Sequence, residues 1–210
     1  MPGRWLLLAV CMLTPSLASA QPSAPTPRVS IGGGLGFAVP FHGDFDFTPW
    51  AWETDVRVAL SSRVVVEAAV GEWRHSETTG ARDIAVAMPP GRIGRLEQTT
   101  TRVQRLVGAN VLFRPGPRRV RPFAGGGLGL VQHARRTRQT TADCSPGVSC
   151  GSFETSFSNT SGAVLGVGGA DVRLSARLAA YGQARLVVPM TDPGGSDLRV
   201  TTGLRWGFGG

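Results

Sequence analysis

Eight ionisable side chains stand inside otherwise apolar stretches. Glu53, Asp55 and Arg57 lie in WAWETDVRVAL and Glu67 in VVVEAAV. Arg177 and Arg185 lie in ARLAAYGQARLVV, and Arg199 and Arg205 in LRVTTGLRWGF. Each alternates with aliphatic or aromatic neighbours, so in an extended chain it points away from the apolar face. Charges held together on such a face are costly unless paired, which predicts an internal ion-pair network. The alternative chemistry for the same set is a gated proton or ion path.

The remaining reactive residues are few. His42 with Asp44, and His75 with Ser76 and Glu77, are the only histidine groupings with acid–base or nucleophilic partners close in sequence. Successive strand residues point to opposite faces, so His75 and Ser76 do not converge, and no enzyme is expected. His133 stands apart from any such partner. Cys144 and Cys150 have five residues between them. In an exported protein that spacing favours a disulfide stapling one loop. No metal-ligand set and no cofactor motif accompanies them; the runs Gly32-Gly33-Gly34 and Gly125-Gly126-Gly127 lack the G-x-G-x-x-G order of a nucleotide loop. Arg135, Arg136 and Arg138 form a short basic cluster suited to phosphate by charge and fork geometry.

These residues need elements to hold them, and the chain supplies strands. The start is Met1-Pro2-Gly3-Arg4, an apolar run from Trp5 to Leu13, then Pro15 and Ala18-Ser19-Ala20. That is the layout of a secretory signal peptide, with cleavage expected after Ala20. A lipoprotein anchor at Cys11 is disfavoured, because Val10 stands where a small residue is wanted. A Pro/Ser linker over 21–27 follows, and then one domain over 28–210. No later segment has the roughly eighteen unbroken apolar residues of a membrane helix. The net charge is +8 with every basic residue an arginine. Export sets nucleic acid aside as the partner and leaves lipopolysaccharide as the polyanion.

Eight strands are expected, at 28–39, 50–60, 63–75, 99–113, 122–134, 154–172, 176–188 and 198–208. The last two are the most regular. Leu178, Ala180, Ala184, Leu186 and Val188 share one face of the seventh; Leu198, Val200, Leu204, Trp206 and Phe208 share one face of the eighth. Strands of about ten residues with one greasy face suit a bilayer. Connections alternate between long polar segments, Ser76–Gln98 and Arg135–Phe153 among them, and short turns such as Ser61-Ser62. Short periplasmic turns and long external loops give this alternation in an antiparallel transmembrane barrel. Gly71-Glu72-Trp73 matches the lipocalin G-x-W but falls in the third strand, so Trp73 is expected as an interfacial girdle residue.

RPFAGGGLG at 121–129, GVGGADVRL at 166–174 and the closing strand Leu198–Phe208 together resemble the small outer-membrane β-barrel family of OmpA/OmpX-like eight-stranded barrels. The resemblance implies an all-β, eight-stranded antiparallel transmembrane barrel in the cell outer membrane. It implies a monomer contacting outer-membrane lipid and lipopolysaccharide, inserted by the barrel-assembly machinery. Family chains usually end on an aromatic residue, whereas here Gly209-Gly210 follow Phe208. The function expected is structural, with surface interaction through the external loops. A narrow channel, a lipid A-modifying enzyme and a soluble lipocalin-like barrel are the alternatives.

Overall fold

The computed structural model describes residues 28–41, 50–85, 93–115, 119–142, 151–191 and 196–209. The expected signal peptide and linker, His42 with Asp44, and Cys144 with Cys150 lie outside them. Eight strands follow in order: β1 Val29–Pro40, β2 Trp50–Ala59, β3 Val64–Ala85, β4 Ile93–Phe113, β5 Val120–Ala142, β6 Ser152–Arg173, β7 Leu178–Pro189 and β8 Asp197–Phe208. Each pairs antiparallel with the next, and β1 closes the barrel against β8 from Val29↔Phe208 to Pro40↔Asp197.

The alternation of the sequence sets the two surfaces. Leu35, Phe113, Val107, Leu128 and Leu204 point outward and are 67%, 61%, 59%, 62% and 55% exposed. An exposed aliphatic belt of this extent requires lipid around it. The inward set is buried, partly in apolar clusters: Leu106, Val131, Ala163, Leu165 and Val187 form one, and Val65, Leu112, Phe123 and Val167 another. A barrel of eight strands is narrow enough for such side chains to fill. Glycine on the inward face lets neighbouring strands coil closely. A Cβ on Gly36 would fall onto the carbonyl oxygen of Val200, and one on Gly127 onto that of Ala109.

The strand lengths depart from expectation. Four strands hold 10 to 12 residues, but β3, β4, β5 and β6 hold 22, 21, 23 and 22. Within Ser76–Gln98 and Arg135–Phe153, expected as loops, the described residues are almost all strand. Their ladders run on through Ser76↔Thr101, Thr78↔Thr99, Arg135↔Phe157 and Arg138↔Glu154. A sheet beyond the bilayer needs no greasy face, so the hydrophobic period disappears while the strand continues. Threonine, with its β-branched side chain, sustains it. Cross-strand hydroxyl pairs Ser76–Thr101, Thr78–Thr99 and Thr100–Thr137 link three strands at 3.2, 3.3 and 3.5 Å. The extra residues of each strand, about ten at about 3.3 Å each, lift a four-stranded sheet ~30 Å beyond the barrel wall.

Candidate functional site

The lumen is filled by alternate residues of all the strands, and its charged residues come from β2, β3, β6, β7 and β8. In β2, Glu53, Asp55 and Arg57 take the inward parity and are 1%, 2% and 5% exposed. Glu67 of β3 and Arg185 of β7 meet them at mid-height. Arg185 donates through Nε to Glu53 Oε2 at 2.9 Å and through Nη2 to Glu53 Oε1 at 2.6 Å and Glu67 Oε1 at 2.8 Å. Arg57 Nε donates to Glu67 Oε2 at 2.7 Å, and Asn110 Nδ2 to Glu67 Oε1 at 2.9 Å. Gln183 bridges the two halves, donating to Glu53 and accepting from Arg57 Nη2 at 3.0 Å.

Toward the end that carries Val29 and Phe208, Arg205 of β8 grips Asp55 at 2.9 and 3.2 Å and also meets Asp171 of β6. Arg57 reaches the other Asp171 oxygen at 3.5 Å. The two guanidiniums lie over aromatic rings, Arg57 over Phe123 at 4.2 Å and Arg205 over Tyr181 at 4.3 Å. Toward the opposite end, Arg199 donates to Asp197 at 2.9 Å and to Gln104. Trp73 Nε1 donates to the same Gln104 and, at 3.3 Å, to Asp197. Four guanidiniums (Arg57, Arg185, Arg199, Arg205) therefore share five carboxylates (Glu53, Asp55, Glu67, Asp171, Asp197).

Six of the eight lumen residues expected from sequence come together around Arg185 and Arg57, and Arg199 pairs with Asp197 nearer the opposite end. Arg177 does neither. It precedes β7, is exposed, and belongs to a turn in which Ser175 Oγ accepts from the backbone N–H groups of Arg177 and Leu178. Trp73 is also corrected: it faces the lumen at 8% exposure, on the same parity as Glu67, rather than the lipid interface. Asp171, Asp197, Gln104, Asn110 and Gln183 join the network without being expected in it. The expected set holds five arginines against three acids, and that imbalance is the available signal that more acceptors have to face inward.

His133 lies within 3.4–3.5 Å of Gln104 Nε2 above the network, and His75 pairs in register with Arg102. The three arginines read as one basic cluster are divided by strand alternation. Arg136 and Arg138 continue the outward parity of Leu128 and Leu130, while Arg135 takes the inward parity of Val131. Arg136 is paired with Glu154 at 2.6 Å across an exposed surface. The outward parity brings two further arginines to that side, Arg105, which bonds Glu72 at 2.8 Å, and Arg74. The ladder row Glu72↔Arg105↔Gln132 lies directly beyond the apolar row Val70↔Val107↔Leu130.

A closed eight-stranded barrel, greasy outside and filled inside by paired charges, defines an integral outer-membrane protein of the small-barrel class. The Outer membrane protein beta-barrel domain family matches residues 6–209, and the chain belongs to that family. A major outer membrane protein from Thermus thermophilus is similar in structure at TM-score 0.50 and 12% identity, covering 88% of this chain and 100% of that one. Neisserial surface protein A is similar at TM-score 0.46 and 12% identity over 86% of this chain and 96% of that one. Ail, the attachment invasion locus protein of Yersinia pestis, is similar at TM-score 0.46 and 13% identity over 85% and 96%. No curated protein sequence matches the chain.

Proposed function

We propose that this outer-membrane barrel acts at the cell surface through the sheet formed by the outer halves of β3–β6, and that the outward arginines of that sheet hold lipopolysaccharide phosphate. One observation carries the reading: strand alternation lines Arg74, Arg105, Arg136 and Arg138 on the lipid-facing side, beginning at the row next to the apolar belt. Arg105 stands at the depth at which headgroup phosphates meet a barrel, and Arg136 and Arg138 follow about 13 and 20 Å further along β5, in the sugar and phosphate layer above it; the guanidinium fork suits phosphate at either depth. The filled lumen supports a binding role over conduction, since Arg185, Glu67 and Leu106 at its waist are 0%, 0% and 1% exposed. The exposed aliphatic belt favours a membrane protein over a soluble lipocalin-like barrel. On this reading the protein is exported by a Sec-type route, the barrel-assembly machinery inserts it, and it works as a monomer.

The test is binding of purified lipopolysaccharide to the refolded barrel. Replacing Arg136 and Arg138 together by alanine should weaken binding about tenfold or more, at about 1.4 kcal/mol per tenfold. Arg135→Ala, on the opposite face, should leave it within about twofold of wild type. Equal loss from both variants, or from neither, would remove the outward face from the proposal.

A further inference from the structure

The end of the barrel that carries Val29 and Phe208 holds a second cluster of arginines, beside the lumen network. Arg114 follows the last residue of β4, Arg121 is the second residue of β5, Arg173 ends β6 and Arg177 stands just before β7. Arg121 and Arg173 keep the inward parity of their strands, shared with Phe123 and Asp171. All four arginines line one cavity of about 60 Å³ together with Arg205 and Asp171. Five guanidiniums thus face a single carboxylate, and both oxygens of Asp171 are already engaged, one by Arg205 and the other by Arg57 at 3.5 Å.

Like charges gathered in a half-enclosed space repel, and burial takes from Arg114 and Arg121 part of the water that would screen them. Burial, and then the charge of Arg121, holds the Arg114 guanidinium below its ordinary value. Arg114 also carries a buried Nη2 with no hydrogen-bond partner among the described residues, while its Nε reaches only the Ser62 carbonyl at 3.4 Å. A buried donor left without an acceptor loses its hydration with nothing in return, and a charged one loses more. Surface arginines on a solvated face show neither feature. A tetrahedral dianion supplies what such a group lacks, namely several acceptor oxygens and opposite charge.

We propose that this cavity, at the mouth turned to the periplasm, is a phosphate-binding site, with Arg114 and Arg177 as direct ligands and Arg121 and Arg173 completing the positive field. The phosphate has two sources. One is a soluble phosphate or phosphomonoester entering from the periplasm; the other is the headgroup of a lipid in the inner leaflet. The inward parity of the cluster turns it toward the barrel axis and favours the soluble source.

The test uses the full mature barrel in nanodiscs of phosphatidylcholine. Inorganic phosphate is titrated calorimetrically at constant ionic strength held by chloride. Saturable binding at one site per barrel is expected, displaced by sulfate and weakened at least tenfold in the Arg114→Gln/Arg177→Gln double variant. Arg114→Lys, which keeps the charge and removes the fork, should bind with intermediate affinity, and it serves as the reporting variant if the double variant does not fold. The second arm compares urea midpoints in nanodiscs with and without phosphatidylglycerol. A rise specific to phosphatidylglycerol, present in wild type and absent in the variant, would assign the headgroup source. Absence of saturable binding in the first arm together with no shift in the second would overturn the proposal. So would phosphate affinity unchanged in the variants.

Discussion

Removal of Arg185 tests the lumen network at its centre. This side chain satisfies two carboxylates at once, Glu53 through two bonds and Glu67 through one, and all three groups are at most 1% exposed. In Arg185→Leu, Glu53 keeps only the Gln183 amide, while Glu67 keeps Arg57 and Asn110. Removing one partner of a buried pair costs about 3–5 kcal/mol, because the other charge stays buried and uncompensated. With a urea slope of about 2 kcal/mol/M, the unfolding midpoint should fall by about 1.5–2.5 M. The assay is urea unfolding of the barrel in phospholipid vesicles, followed by tryptophan fluorescence. Arg185→Leu/Glu53→Leu removes the stranded carboxylate and leaves Arg57 facing Glu67, so at least half the lost stability should return. A shift under about 0.5 M for the single variant, or a double variant at least as unstable as the single, would refute the claim that these charges are held by mutual compensation.

Three further outcomes are expected. Trp73→Phe keeps an aromatic ring, though a smaller one, and removes the indole N–H shared by Gln104 and Asp197; it should cost at least about 1–2 kcal/mol in the same unfolding assay. Gly36→Val places its side chain against the Val200 carbonyl at the seam of β1 and β8, and should destabilise by about 1–3 kcal/mol, seen as loss of the fast-migrating unboiled band on SDS gels. Mass spectrometry should find Cys144 and Cys150 resistant to alkylation until a reductant is added, and reduction should lower the urea midpoint by no more than about 1 M, because the closed loop is small.

The membrane-spanning parts are legible in the sequence because two solvents impose the alternation. Val107, Ala109, Val111 and Phe113 face lipid as their parity implies, and Gln104, Leu106 and Asn110 face inward. Arg185 and Glu53 can be assigned to the lumen individually, but their pairing cannot, since the register of β2 on β3 and of β7 on β8 decides which charges meet. The outer parts of β3 and β5 and the start of β4 read as loops for the complementary reason: polar residues such as Ser76, Gln98 and Arg136 satisfy either face of a sheet in water, so no period marks the strand. Trp73 is misplaced by its residue type; tryptophan is at home in the headgroup region, and only its parity with Glu67 points inward. Arg177 fails at a boundary, because the Ser175 turn delays β7 until Leu178.

The seam between β1 and β8 sets the order in which this barrel can be completed. Val29 pairs with Phe208, so the first strand waits for the last residues of the chain before the wall can shut. Bringing ends so far apart in sequence together costs on the order of 5 kcal/mol of chain entropy, compensated only when the full ladder zips. Every intermediate short of that point is an open sheet with two bare edges, in a solvent that offers backbone groups no partners. Maturation is therefore all-or-none: a ribosome that stops short of β8 yields no smaller barrel, only a sheet that cannot close.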